Sequence, residues 1–370
     1  MSAGLTRRGE AVLELSLKKK MLAVCCAACL VAPVAGAAAQ ARLELPEKPR
    51  LITARADLKT EGPELIFSDS PEVITAPGVL YRSEAKGPAR VFFHHVNGSA
   101  DALRLAVIIR NPSPSASLEY RVLKHAVSAS SSDYLYLGKS VQKAYFGARR
   151  KAQAERLEPC GSRELISGSG ALVGVGELVT GTLDLFLSAN AEICVVAGVP
   201  EAEWLTYAQG PLLPQDSQRL RGTFYASDWE YNLRQPVYAG KIPLALELAS
   251  PAAGFAKGID APSGEPAENY GNYGVIYRVN FEVAGDAPVS FVFNPLGGPF
   301  AGYGLLEDKL SGSQKLVPLP EKDTAFGDTV CEATELARLD PGSYSFTWSP
   351  PGSSFLPVRL WWLSPKLPVK

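Results

Sequence analysis

The chain has 370 residues, with 37 basic and 38 acidic side chains, a formal net charge of −1 and 46% hydrophobic residues. Beyond residue 41, near-neutral charge without a basic run excludes an electrostatic footprint for nucleic acid or anionic lipid. This hydrophobic content excludes general disorder, and the length exceeds what one core usually serves, so two domains are expected.

Lys18, Lys19 and Lys20 stand directly before an uncharged stretch whose apolar core runs from Met21 to Val34. Pro33 and Gly36 break a helix near its end, and Ala39-Gln40-Ala41 supplies a small–x–small exit. A basic start, a short apolar middle and a small-residue exit make a cleavable secretory signal over residues 1–41. A membrane anchor would need about 20 consecutive apolar residues, more than this core offers. Residues 1–14 fit the signal poorly, because Glu10 and Glu14 precede the lysines, and a start near Leu15 is expected. No membrane span is expected after cleavage, since Glu177, Asp184 and Glu192 interrupt the apolar region 165–200. The product is therefore expected to be exported, to the periplasm, the cell surface or beyond.

Residues 42–62 read as an N-terminal extension, 63–213 as a first β-sandwich domain and 214–370 as a second. The fold class expected is all-β, mainly antiparallel, with one short helix in the first domain. Leu65-Ile66-Phe67 is a strand stopped by Ser68-Asp69-Ser70-Pro71. Gly78–Arg82 reads as one arm of a hairpin that returns as Arg90–Val96, with Gly87-Pro88 between them. Asn97-Gly98 forms a turn, since both residues tolerate positive φ. Strands follow at Leu103–Ile109 and Leu118–Val127. Short strands cut by turn signals at this spacing are the pattern of a sandwich.

Asp133 caps a predicted helix in which Tyr134, Leu137, Val141 and Tyr145 recur at helical spacing. Further strands are expected at Leu178–Leu187 and Glu192–Val199, with 211–217 as the linker. In the second half, strands are expected at 242–248, 274–283, 289–294, 342–348 and 358–363. Tyr277, Val279 and Phe281 alternate with Arg278, Asn280 and Glu282, which makes one face packed and the other wet.

Enzyme signatures fail. Gly138-Lys139-Ser140 resembles the end of a phosphate loop, but Asp133 stands where the loop needs glycine, and Gly174, Gly176 and Gly181 miss the dinucleotide spacing. There is no His-Glu-x-x-His, Gly-x-Ser-x-Gly or Cys-x-x-Cys. Of the histidines, His94 and His95 are adjacent in a strand and point to opposite faces, so they do not share a metal. His125 is the third. No cofactor or metal is expected.

Beyond residue 41 the cysteines are Cys160, Cys194 and Cys331, an odd number that leaves at least one unpaired within the chain. Two readings stand for Cys160 and Cys194: a disulfide, or, for Cys194 in Ile193–Val196, a small buried hydrophobe.

The most distinctive passage is Gly258-Ile259-Asp260 followed by Asn269-Tyr270-Gly271-Asn272-Tyr273-Gly274. As a ligand site it offers Asn269, Asn272 and Asp260 for hydrogen bonds, with Tyr270, Tyr273, Trp229 or Trp361 as a stacking platform for a sugar. As structure it is a corner whose Asn side chains satisfy backbone groups. Asp260 and Glu268 form the one carboxylate pair near it that a glycoside hydrolase would use.

Five segments carry a resemblance: Phe67-Ser68-Asp69-Ser70-Pro71-Glu72, Gly78-Val79-Leu80-Tyr81, His95-Val96-Asn97, Arg221-Gly222-Thr223-Phe224 and Asn272-Tyr273-Gly274-Val275-Ile276-Tyr277. Together they resemble a set of uncharacterised exported β-sandwich proteins of anaerobic bacteria, some labelled copper amine oxidase N-terminal-domain proteins. The label does not imply oxidase activity. That chemistry would need a His-x-His pair and an Asn-Tyr-acidic motif, whereas Tyr270 and Tyr273 are each followed by glycine. The function expected is a non-catalytic envelope or surface module that is structural or binds a cell-wall polymer or surface protein. A carbohydrate-binding module is the first alternative, and a glycoside-type hydrolase the second.

Overall fold

The computed structural model describes residues 42–44, 51–150, 153–166, 172–201, 207–320 and 332–364. The expected signal segment and Cys331 lie outside the described residues. The described chain is mainly antiparallel β-structure arranged in three sheets, with one α-helix at Tyr134–Gly147.

The largest sheet is built on two long strands, Gly78–Asn97 and Leu178–Gly198, which pair antiparallel along nearly their whole length. The first half of Leu178–Gly198 also pairs with Leu118–Val127, and the second half with Leu103–Arg110. The sheet curls around one core, because Val91, Phe93, Leu183 and Leu185 from one half meet Tyr81, Val107, Ile109 and Val195 from the other. The alternation that hides one face of a strand thus serves a single bent sheet.

The hairpin expected at Gly87-Pro88 does not form. Gly87 takes φ +77°, and the chain carries on in register, with Leu187 opposite Gly87 and Phe186 opposite Pro88. A register shift between Leu187 and Ala191 absorbs the bend on the partner strand. Glycine and proline here kink a continuous strand, as a bulge does. The same bend joins the two strands expected at 178–187 and 192–199 into one.

A second core lies between a six-stranded and a seven-stranded sheet. Phe281 meets Trp362 at 5.1 Å and Phe291 meets Phe346 at 5.2 Å, each contact crossing from one sheet to the other. The expected alternation in Ile276–Ala284 is observed, with Tyr277, Val279 and Phe281 buried.

Residues assigned to an N-terminal extension contribute to this second sandwich. Arg42–Glu44 pairs with Glu332–Leu339, Ile52–Thr53 with Leu244–Leu248, and Ala56–Glu61 with Asp228–Leu233. In the other direction, Arg221–Phe224 pairs with Glu64–Ser68 and so continues the first sheet. The stretch 211–217 is stitched down as well: Leu213 donates from its amide to the Val79 carbonyl at 2.7 Å. Hydrogen bonding therefore runs across position 213 in both directions.

The helix begins where expected. Asp133 accepts from the Tyr136 amide at 3.2 Å, satisfying one of the free amides of the first turn. Val141, Tyr145 and Phe146 pack on Ala126 of the first sheet and on Ile276, Leu305 and Leu316 of the second sandwich. Gly138 lies against the Gly352 backbone, where a side chain has no room. That contact accounts for the glycine in Gly138-Lys139-Ser140.

Candidate functional site

The Asn/Tyr/Gly passage folds into a corner after the Glu265–Glu268 strand. Asn272 sits at φ +55°, a backbone state that asparagine tolerates better than most residues. Its Oδ1 accepts from the Ala256 amide at 2.7 Å, and its Nδ2 donates to Tyr277 Oη at 2.7 Å. Asn269 is equally buried and donates to the Tyr273 carbonyl at 2.8 Å. Tyr273 packs on Phe92 and donates its hydroxyl to the Ser354 carbonyl at 2.9 Å, and burial holds that phenol well above its ordinary range.

Most of the stacking platform is likewise internal. Trp229 is buried edge-on to Tyr277, and Trp361 is buried with its indole donating to Asn294. Trp229 belongs to the second core and Trp361 to a separate buried cluster with Ala245, Val292 and Leu363, so neither is available to a ligand. Tyr270 differs. It is 56% exposed and braced edge-to-face by Phe255 at 5.7 Å.

Tyr270 borders a groove of about 470 Å³ at the end of the first sheet. The Lys257–Asp260 and Glu265–Glu268 strands form one wall, and Gln215, Gln218, Arg219 and Arg221 the other. Its floor is the buried ion pair of Arg221 and Asp260, at 3.1 Å. Arg221 also donates to the Leu80 and Leu213 carbonyls, while Asp260 accepts from Gln215 and Ser263. At the rim Arg219 pairs with Glu265. Lys257 stands opposite Glu268 in the strand register, and the nearby Glu268 carboxylate raises the pKa of the Tyr270 phenol. The structure therefore brings Asp260, Glu268 and Tyr270 to one groove and places Asn269, Asn272, Tyr273 and Trp229 beneath or away from it. Sequence reasoning missed Gln215, Gln218, Arg219 and Lys257, which come from two separated segments and carry no shared motif.

The histidines occupy opposite sides of their strand. His95 donates from Nδ1 to the Pro71 carbonyl at 2.9 Å and accepts at Nε2 from Ser68 Oγ at 2.9 Å. Both Ser68 and His95 are fully buried, so the pair cannot reach a substrate. His94 faces the 352–353 turn, with Nε2 at 3.3 Å from Ser353 Oγ. Burial pushes His94 down to about 3 and His95 to about 4, so both are neutral near pH 7. His125 lies exposed on the Leu118–Val127 strand. Among the described residues no group of three or more His, Cys, Asp or Glu side chains is placed to hold a metal ion.

The disulfide reading for Cys160 and Cys194 is corrected. Both thiols are free, Cys160 exposed and Cys194 buried. Cys160 occupies a turn at φ +56°. Cys194 sits mid-strand, packed with Val79, Ala106, Ile108 and Val196, and burial pushes its thiol up to about 12. It behaves as a small apolar side chain.

No protein-family model and no curated protein matches the sequence. Among solved structures, the PBSX exported protein XepA aligns over 78% of this chain and 86% of its own at 8% identity, with a TM-score of 0.17. An allantoicase aligns over 82% and 90% at 12% identity, with a TM-score of 0.16. Lac15 from a marine microbial metagenome aligns over 83% and 66% at 9% identity, with a TM-score of 0.12. At such TM-scores these likenesses carry no argument about fold or function.

Proposed function

We propose that the protein is an exported, non-catalytic module of the cell envelope that binds wall components. The observation that carries this reading is the groove beside Tyr270: it is open and polar, and its candidate catalytic carboxylate is fully engaged. Asp260 is buried and held by Arg221, Gln215 and Ser263. A general acid or base must exchange a proton with substrate, and a carboxylate locked in an ion pair beneath the groove is badly placed to do so. Asp260 stands opposite Glu265 in the hairpin, and Glu268 stands opposite Lys257 at the hairpin's other end. Both carboxylates line the groove, but from opposite ends of the hairpin, and Asp260 is engaged in its ion pair with Arg221.

Export is supported by the lysine cluster, apolar core and small-residue exit of residues 18–41. Among the described residues no helix is long and apolar enough to cross a membrane. The resemblance to exported β-sandwich proteins points the same way.

Two measurements test the reading. The protein should be recovered from the envelope or medium of its host with a new N-terminus near Arg42, and the purified protein should co-sediment with isolated cell wall. Recovery from the cytosol with the leader intact, together with no retention on wall, would refute it.

A further inference from the structure

We infer that the groove between the Lys257–Glu268 hairpin and residues 215–221 takes an uncharged oligosaccharide, one ring of which stacks on Tyr270. The inference rests on the wall-binding reading and names the ligand class of that site.

Charge is the first ground. Two of the three cations lining the groove are held in ion pairs, Arg221 with Asp260 and Arg219 with Glu265, and the third, Lys257, stands opposite Glu268 in the strand register. A site for a polyanion leaves cations uncompensated so that phosphate or carboxylate can replace water and counterions. Here the ion pairs set cations and anions side by side along the groove. Amide, guanidinium, ammonium and carboxylate groups alternate within one groove, and they suit hydroxyl groups, which both donate and accept.

The aromatic ring is the second ground. Tyr270 exposes over half of its surface at the groove edge. Stacking on an apolar sugar face favours a ring that is already held in place, because ordering a loose side chain on binding costs affinity. Phe255 braces the ring edge-to-face at 5.7 Å, and the Tyr270 amide donates to the Glu268 carbonyl at 3.2 Å. The backbone on both sides is fixed by the buried Asn269 and Asn272 side chains. The elaborate corner thus acts as the mount of one exposed ring.

An extended peptide is the main competitor, because Glu265–Glu268 ends the strand order of its sheet. That edge is four residues long and contains Pro266, which has no amide hydrogen to donate. Strand addition needs an unbroken ladder. The volume of about 470 Å³ lies within the range of sites that enclose small ligands.

The test is calorimetric titration of the purified protein with cellotetraose, chitotetraose, polyphosphate and a flexible neutral decapeptide. At least one tetrasaccharide should bind, and binding should change by less than about twofold between low and high salt. Tyr270→Ala should weaken it about tenfold or more, whereas Tyr270→Phe, which keeps the ring, should stay within about threefold of the parent. Because Tyr270 is exposed, an unchanged melting temperature in Y270A shows that the loss is local. Silence toward both tetrasaccharides, undiminished binding by Y270A, or preference for polyphosphate or the peptide would overturn the inference. Co-sedimentation with cell wall separates the two claims. If wall retains the parent and Y270A equally, the groove inference falls and wall binding stands. If wall retains neither while a tetrasaccharide still binds through Tyr270, wall binding falls and the ligand class stands.

Discussion

Arg90 and Asp184 form an ion pair at 2.8 Å between two neighbouring long strands, with only 3% and 7% of their side chains exposed. The same guanidinium reaches Asp228 of the second sandwich at 2.8 Å and the Gly274 carbonyl at 3.3 Å. Tyr145 of the helix donates to the second oxygen of Asp184 at 2.7 Å. One cation therefore joins the long strands to the second sandwich, and through Asp184 to the helix. That cation is one of the links between residues on either side of position 213.

Removing one partner of such a pair strands a charge without water. Arg90→Leu should lower stability by about 3–5 kcal/mol. Asp228 is 41% exposed, and Asp228→Asn should cost no more than about 1 kcal/mol. Adding Asp184→Leu to Arg90→Leu should recover part of the loss, because the stranded carboxylate is gone. Urea unfolding of the three variants checks this. A cost for Arg90→Leu no larger than that for Asp228→Asn would contradict it.

The buried histidines set an acid dependence with a definite sign. Both have folded pKa values below 6.5, at about 3 for His94 and about 4 for His95. The unfolded chain then binds protons that the folded chain refuses. The contribution is complete above pH 6.5 and is lost as pH falls toward the folded values. Each histidine adds a slope of about 1.4 kcal/mol per pH unit across that window. Asp69 acts in the opposite sense. Burial first, then Glu72 and Asp216, raise its pKa well above the ordinary carboxylate value, so its contribution is present at low pH and is lost as pH rises. The net acid slope is therefore shallower than two histidines alone would give. His95→Gln should remove one proton's worth of slope between pH 4.5 and 6.5, as read from urea midpoints at four pH values. An unchanged slope would mean that His95 is protonated in the folded chain.

How much of this was legible in the sequence depends on which physical signal each residue carries. Alternation in Tyr277, Val279 and Phe281 is a direct record of a face turned inward, and the strand there followed. The Asp133 cap and the helical spacing through Tyr145 were equally direct. Gly87-Pro88 misled because the same residues that reverse a chain also kink a continuous strand, and only the partner strand decides between them. The corner at Asn269–Gly274 was recognised as distinctive, yet Asn and Tyr serve a ligand or a backbone equally well. Burial separates Tyr270 from Tyr273, and that burial depends on residues far away in sequence, among them Phe92 and Ser354. Of the groove's other wall, Gln215 lies in the stretch 211–217 that reads as a linker, and nothing local marks Arg221 as the partner of Asp260. Arg90 and Asp184 did leave a trace: a charged residue inside an otherwise apolar strand needs a buried partner.

The corner separates support from display. Asn272→Ala removes hydrogen bonds to Ala256, Gly254 and Tyr277 and places a β-carbon residue without a polar side chain at positive φ. The expected cost is about 2–4 kcal/mol. Asn272→Gly relieves the backbone and should cost less, while Tyr270→Ala should stay within about 0.5 kcal/mol of the parent. Thermal and urea unfolding rank the three, and a Tyr270 variant as unstable as Asn272→Ala would show that the ring is part of the core.

Cys160 and Cys194, the free thiols among the described residues, should differ in reactivity by burial. Attack requires the thiolate, and burial holds Cys194 near 12 with its sulfur packed among Val79, Ala106 and Ile108. Cys160 is exposed in its turn. Iodoacetamide added to the native, unreduced protein should label the Cys160 peptide and leave the Cys194 peptide unmodified. Both should react in urea, again without reductant, as peptide mass mapping would show. Cys160→Ser should change stability by no more than about 0.5 kcal/mol, whereas loss of a real bridge would cost about 2–5 kcal/mol. A Cys160–Cys194 peptide recovered from unreduced digests would return the chain to the bridged reading. It would also require both the Cys160 turn and the strand around Cys194 to move.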